Sequence, residues 1–278
     1  MHTSAKNLNP ENPSFNGDWT VVLPRRGKHR SRNLPKLETL EQQRKSWAPT
    51  DIEIDPKREL KLMQKMQICI KKLENSEFCH TFLDQIQSPQ MLDNFLRVLG
   101  SELKMQMVIY GIGSIESYES PRLQLSLAIL TKRKFSWIGD IEVFDPVIST
   151  AESRVLEALG CSVLLVNEQG RRKALKPTLF FMPHCEAELY NNLLQANWQA
   201  ELLNRAVVFG NSFKIYKQFA SEFKSSVVVS AKHVLAVHKF MNEFGIETVS
   251  DEFFGAFHDS SWHFFYLDPE LELQDIEL

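Results

Sequence analysis

His184 and Cys185 stand side by side after an apolar run, Thr178–Met182, and the pair suggests two chemistries. A thiolate near an imidazole is an activated nucleophile; a thiol and an imidazole together are also ligands for a metal or a haem iron. Adjacent residues do not easily reach the mutual geometry that proton transfer needs, so nucleophilic chemistry would require another base, for which His258 is the candidate. A buried thiol near a helix start fits the same two residues, with His184 as a hydrogen-bonded site residue. No GxSxG or HExxH stretch supports hydrolase or protease chemistry. The four cysteines, at 69, 79, 161 and 185, have no CxxC spacing, so the sequence suggests neither a disulfide framework nor a zinc site. No metal and no cofactor is assigned.

The second constellation is Gly111-Ile112-Gly113-Ser114. Glycines after a strand let the backbone approach a phosphate or a nucleoside, with helix N-terminal amides as donors. They serve equally well as a tight strand–helix turn. The third glycine of the dinucleotide fingerprint is absent, because Glu116 takes its place. Asp145 lies 32 residues beyond Gly113, further than the usual separation of about 20. The following helix starts late, near Pro121. A nicotinamide-dinucleotide site is disfavoured, while a looser nucleotide or S-adenosylmethionine-like site stays open.

These residues must be positioned by the elements between them. Short, nearly continuous apolar runs at Met105–Tyr110, Ile141–Phe144, Ser162–Val166, Thr178–Met182 and Ala206–Phe209 read as strands buried on both faces. Helical spacing fills Pro121–Thr131, Thr150–Leu159, Glu186–Ala196 and Phe213–Phe223. Beyond a valine run after Ser226 come a helix over Ala231–Phe244 and a last strand over Trp262–Tyr266. The alternation predicts an α/β fold, a Rossmann-like three-layer sandwich with a mostly parallel sheet. Ligands of such sheets bind where strands end. That edge should carry Gly111, Gly113 and Ser114, then Asp145, then Asn167 and Glu168, then His184 and Cys185, then Asn211 and Ser212, with His258 before the last strand. Asn211 and Ser212 also suit a helix cap.

Leu60, Met63, Met66, Ile70 and Leu73 keep helical spacing after Pro56, and Ser88-Pro89 opens a further helix that Gly100 ends. The expected organisation is a disordered basic tail (1–50), a helical lead-in (51–104), the α/β domain (105–268) and an acidic tail (269–278). Residues 1–50 carry a formal charge of +5 and the remainder −8. No apolar run approaches the roughly 18 residues that span a bilayer, and the N-terminus lacks the order of a secretory signal, so an intracellular chain without a membrane partner is expected. Arg25, Arg26, Lys28, Arg30 and Arg32 place five basic side chains in eight residues, a nuclear-localisation candidate or a solvated charge run. The acidic body and the lack of interleaved aromatics argue against direct DNA binding.

Several of these stretches, taken in order, resemble one family. Tyr110-Gly111-Ile112-Gly113-Ser114, Phe144-Asp145-Pro146-Val147, Asn167-Glu168, Met182-Pro183-His184-Cys185, Gly210-Asn211-Ser212-Phe213 and Phe257-His258-Asp259-Ser260-Ser261 are similar to the SRR family, named for sensitivity to red light reduced. So is Asp18-Trp19-Thr20-Val21-Val22-Leu23-Pro24-Arg25-Arg26-Gly27. The resemblance implies a regulator of the circadian clock and of phytochrome B red-light signalling that affects flowering, acts in nucleus and cytoplasm, and works through protein partners. It brings no catalytic activity with it. Its animal branch is associated with haem homeostasis, which keeps haem beside nucleotides and S-adenosylmethionine as an alternative ligand, for an enzyme or a binding protein.

Overall fold

The structure, a computed structural model, describes residues 46–49, 51–52, 54–222, 230–247 and 251–273. Three helices come first: α1 (Pro56–Glu74), α2 (Glu77–Gln87) and α3 (Pro89–Leu99). The Asp55 carboxylate caps α1 by accepting from the Lys57 amide at 2.9 Å, and Pro56 occupies the first turn, where no N–H is needed. Ser88 ends α2 and caps α3, and Gly100 (φ +56°) releases the chain from α3.

Strands and helices then alternate: β1 (Met105–Tyr110), α4 (Glu119–Lys134), β2 (Ile138–Phe144), α5 (Thr150–Ala158), β3 (Cys161–Val163) and β4 (Thr178–Met182). They continue with α6 (Ala187–Ala196), α7 (Ala200–Leu203), β5 (Ala206–Asn211) and α8 (Phe213–Glu222). The chain closes with α9 (Lys232–Val237), a 3₁₀ turn (His238–Phe240), β6 (Met241–Gly245), α10 (Asp251–Phe257) and β7 (Ser260–Phe265). The seven strands form one sheet in the order β3-β2-β1-β4-β5-β7-β6. The first five pair in parallel, while β7 runs antiparallel to both β5 and β6.

Side chains alternate across the sheet, as the period of two requires. Met107 and Ile109, Leu179 and Phe181, Val207 and Phe209, Trp262 and Phe264 point into one core, covered by α1–α5 and α10. Val108 and Tyr110, Phe180 and Met182, Val208 and Phe265 point into the other, covered by α6–α9. The Rossmann-like three-layer sandwich with a mostly parallel sheet is thus observed. From β1 the chain moves outward to β2 and β3, then returns to β4 beside β1 and moves the other way. Crossovers of one hand travelling in opposite directions put their helices on opposite faces, so a crevice opens between β1 and β4, the topological switch point. The lead-in helices share the first core: Phe82 meets Phe209 and Trp262, with ring centroids 5.4 and 5.5 Å away, and Phe95 meets Phe264 at 5.0 Å.

Two elements differ from the sequence expectation. The helix expected over Ala231–Phe244 ends at Val237, because Met241–Gly245 finds main-chain partners in β7, with Met241 opposite Phe265 and Gly245 opposite Ser261. Ladder hydrogen bonds there outweigh the helical spacing. The strand expected over Ser162–Val166 is shorter, Cys161–Val163; Val166 instead bridges Ser46, and Trp47 donates its amide to the Leu165 carbonyl. Ser46–Pro49, at the end of the stretch expected as a tail, therefore lies against the sheet edge, with the Trp47 ring edge-on to Phe144. The valine run 227–229 and the basic run at Arg25–Arg32 lie outside the described residues. Among the described residues, no helix is long and apolar enough to cross a membrane.

His263, in β7, has no exposed surface. Its Nδ1 pairs with the Val208 carbonyl at 3.1 Å, its ring stacks on Phe213, and Glu243 Oε2 lies 4.0 Å from its Nε2. Burial pushes its pKa down to about 4, against an upward pull from Glu243. The unfolded chain binds this proton below about pH 6.5, while the folded chain resists it down to about 4. Stability supplied by the neutral imidazole is therefore full above pH 6.5 and falls as pH drops through that window, by about 3 kcal/mol. Urea unfolding at pH 7 and pH 4.5 should show this loss, and His263→Gln should reduce it; an unchanged loss would remove His263 as its source.

Candidate functional site

The parallel registers level the strand ends. Tyr110 lies opposite Phe144, Ile109 opposite Phe181, and Met182 opposite Gly210. The loops after β1, β2, β4 and β5 leave from one edge, and the antiparallel β7 starts there too, with Ser260 opposite Asn211. Pairing alone brings Gly111, Asp145, His184, Asn211 and His258 to the same end of the sheet.

The glycine turn is held by carboxylates. Gly111 (φ +65°) and Gly113 (φ +75°) both adopt left-handed backbone. The Gly113 amide donates to Asp145 Oδ2 at 2.8 Å, and Oδ1 accepts from the Val147 amide at 3.0 Å. The 32-residue separation is absorbed by the 111–118 loop and the 16-residue α4, and Asp145 still reaches the turn. Helix α4 begins at Glu119, so the turn is not its N-terminus. The intervening loop is pinned by Glu152, only 1% exposed. Its Oε1 accepts from Ser114 Oγ at 2.7 Å and the Glu116 amide at 2.9 Å, while Oε2 caps α5 through the Ser149 amide at 2.7 Å. Glu116, which breaks the glycine fingerprint, binds the Arg58 guanidinium through Nε at 2.7 Å and Nη2 at 2.6 Å, and Arg58 also pairs with Asp51. The hydrogen bond from Arg58 holds the Glu116 carboxyl below its ordinary range, and the same pairing raises Arg58.

A cleft of about 490 Å³ opens beside this turn, over the switch point, within the usual size range for small-molecule sites. Gly111, Asp145, Asn167, His184 and Cys185 line it, together with Tyr110, Phe144, Pro146, Gln169, Gly170, Glu186, Glu188, Leu189 and Asn192. Gly113 and Ser114 are turned to Asp145 and Glu152 instead. A second depression, about 550 Å³ between α1, α4 and α5, touches none of the strand-end residues.

Cys185 is buried, and its thiol donates to the Tyr110 carbonyl at 3.2 Å. Burial pushes its pKa far up, with Asp145 and Glu186 adding to the shift, so the thiolate needed of a nucleophile is suppressed. His184 stands at the exposed rim in left-handed backbone (φ +57°), a strained conformation for a side chain with a Cβ. Asn211 Oδ1 accepts from its amide at 2.7 Å, and its Nε2 lies 3.1 Å from the His258 carbonyl. Desolvation by the surrounding atoms lowers its pKa, with an opposing pull from that carbonyl. The His258 ring packs on His184 at 4.3 Å, so it does not serve as a base for Cys185. Asn211 also donates to the Cys185 carbonyl and to Tyr216 Oη, each at 3.0 Å, and thus braces the rim from below. Ser212 donates to Glu243. Glu168 accepts from the Tyr110 hydroxyl and pairs with Arg172, which also pairs with Glu142, so its carboxylate is spent outside the cleft lining. Among the described residues, no group of three His, Cys, Asp or Glu could hold a metal ion.

Several cleft residues escape a reading of strand ends alone. Tyr110 looks like strand core in sequence. Glu188 and Asn192 sit at i and i+4 of α6, a spacing that puts both on one helix face. Gly170 is required because a Cβ there would lie 2.9 Å from the Leu189 carbonyl oxygen; the Gln169-Gly170 pair was its turn signal.

The SRR1 domain model matches residues 56–264. The chain is 56% identical over 277 residues to Protein SENSITIVITY TO RED LIGHT REDUCED 1 of Arabidopsis thaliana, covering 98% of each. It is 32% identical to the SRR1-like protein of Mus musculus, over 70% of this chain and 85% of that one. A solved structure of a putative O-methyltransferase from Klebsiella pneumoniae aligns with 78% of this chain and 92% of its own, at 9% identity and a TM-score of 0.41.

The two glycines differ in what a side chain would meet. A Cβ at Gly111 would lie 2.6 Å from Cys185 Sγ, whereas at Gly113 its nearest neighbour is Pro121 Cγ at 3.4 Å. Gly111→Ala should destabilise the fold by about 1–3 kcal/mol more than Gly113→Ala, which carries backbone strain without the clash. Equal losses in chemical denaturation would show that the Cys185 contact does not constrain the turn.

Proposed function

The chain belongs to the SRR1 domain family, and on that premise we propose that it is a regulatory protein of red-light signalling through phytochrome B, of the circadian clock and of flowering. The observation that carries the reading is the 56% identity to the Arabidopsis protein, which extends over 98% of both chains. The proposal gives the α/β domain two jobs: a surface for protein partners in light and clock signalling, and a cleft for a small ligand that biases those contacts. The cleft residues support a binding role better than a catalytic one, since the thiol is buried and hydrogen-bonded and the His184 ring is packed against His258. The test is complementation. The 278-residue chain expressed in Arabidopsis plants lacking the relative should restore the seedling response to red light and the period of circadian rhythms. Accumulation of intact protein without either effect would reject the assignment.

The same proposal places the protein in both nucleus and cytoplasm, with Arg25, Arg26, Lys28, Arg30 and Arg32 as the import signal. Replacing Arg25, Arg26 and Lys28 with Ala should shift a fluorescent fusion towards the cytoplasm. Nuclear accumulation equal to that of the unaltered chain would exclude the basic run as the signal.

A further inference from the structure

We propose that the cleft accepts a nucleoside that carries positive charge and no phosphate, with a sulfonium nucleoside of the S-adenosylmethionine type as the best fit. This rests on the reading that the cleft holds a small ligand. The argument begins with the amides of the glycine turn. In a phosphate-binding loop such amides point at the ligand. Here the Gly113 amide is taken by Asp145 and the Glu116 amide by Glu152, so protein carboxylates already occupy the places of phosphate oxygens.

The lining adds charge of the same sign. Asp145, Glu186 and Glu188 face the cleft, and among the described residues no lysine or arginine lines it. The nearby Arg172 is engaged by Glu168 and Glu142. A triphosphate or dinucleotide would bring several negative charges against three carboxylates with no counter-charge, whereas a cation gains from each of them. The propionates of haem meet the same repulsion, and the buried Cys185 thiol, held by the Tyr110 carbonyl, offers its iron no ligand.

The remaining surface suits a nucleoside. Each Asp145 oxygen accepts one hydrogen bond and keeps capacity for a ribose hydroxyl, at the end of β2 where an acidic residue meets the ribose in doubly wound folds. Pro146, Phe144 and Leu189 offer apolar surface for a planar base, and Asn192, whose Nδ2 donates to the Gln169 carbonyl at 3.1 Å, offers its Oδ1 for the edge of the base.

The experiment is titration calorimetry of the full chain with S-adenosylmethionine, adenosine, ATP, NAD and haemin. S-Adenosylmethionine should bind at least tenfold more tightly than ATP or NAD and weaken as salt rises. Glu188→Lys reverses an exposed charge, so the fold should persist, and it should weaken S-adenosylmethionine by about fivefold while leaving adenosine within about twofold. ATP or NAD binding as tightly would overturn the charge argument yet keep the cleft as a ligand site, and adenosine matching S-adenosylmethionine would overturn the need for positive charge. No binding by any of the five would overturn the ligand reading itself, and this inference with it.

Discussion

The carboxylate of Asp145 joins two loops that the sequence keeps 32 residues apart, accepting from Gly113 on one and Val147 on the other. Glu152 does the same work one step further out, tying Ser114 and Glu116 to the start of α5. A buried amide without a partner is costly; the Gly111 amide still reaches the ladder through the Phe144 carbonyl at 3.2 Å, but those of Gly113 and Glu116 lie beyond it. Here the partners are side chains of the neighbouring βα unit. The shape of the cleft wall follows from that choice: the turn cannot collapse into the switch point, because its donors are held elsewhere.

The same carboxylates set the character of the site. A phosphate loop leaves its amides open and supplies positive charge. This edge closes its amides, supplies negative charge, and pairs Arg58 with Glu116 and Asp51 and Arg172 with Glu168 and Glu142. The fold is shared by many unrelated activities, so function has to be argued from these residues rather than from the architecture.

Much of the fold was legible because buried parallel strands write themselves as short apolar runs: Met105–Tyr110, Thr178–Met182 and Ala206–Phe209 are all near-continuous. Met241–Gly245 was not, since an edge strand half exposed carries too little pattern to oppose helical spacing, and its identity depends on β7. In the site, the strand-end rule located Gly111, Asp145, Asn167, His184 and Cys185. It could not tell which polar groups face the cleft and which are spent on bracing, as Ser114, Glu168, Asn211 and Ser212 are. Spacing alone could not show that Asp145 reaches the Gly113 amide across 32 residues, nor that Glu116, in the place of the third glycine, is held by Arg58.

The position of β7 bears on how the chain is made. It follows β5 and β6 in the chain, yet it lies between them, and its Trp262 and Phe264 complete the aromatic cluster round Phe82 and Phe95. Helices α2 and α3 are synthesised more than a hundred residues earlier. Until β7 arrives, their phenylalanines lack those partners, β5 has an open edge and β6 has no strand partner. Long-range closure of this kind slows folding and leaves apolar surface and strand edges exposed meanwhile. A nascent chain of this protein thus depends on shelter during translation more than its finished sheet would suggest.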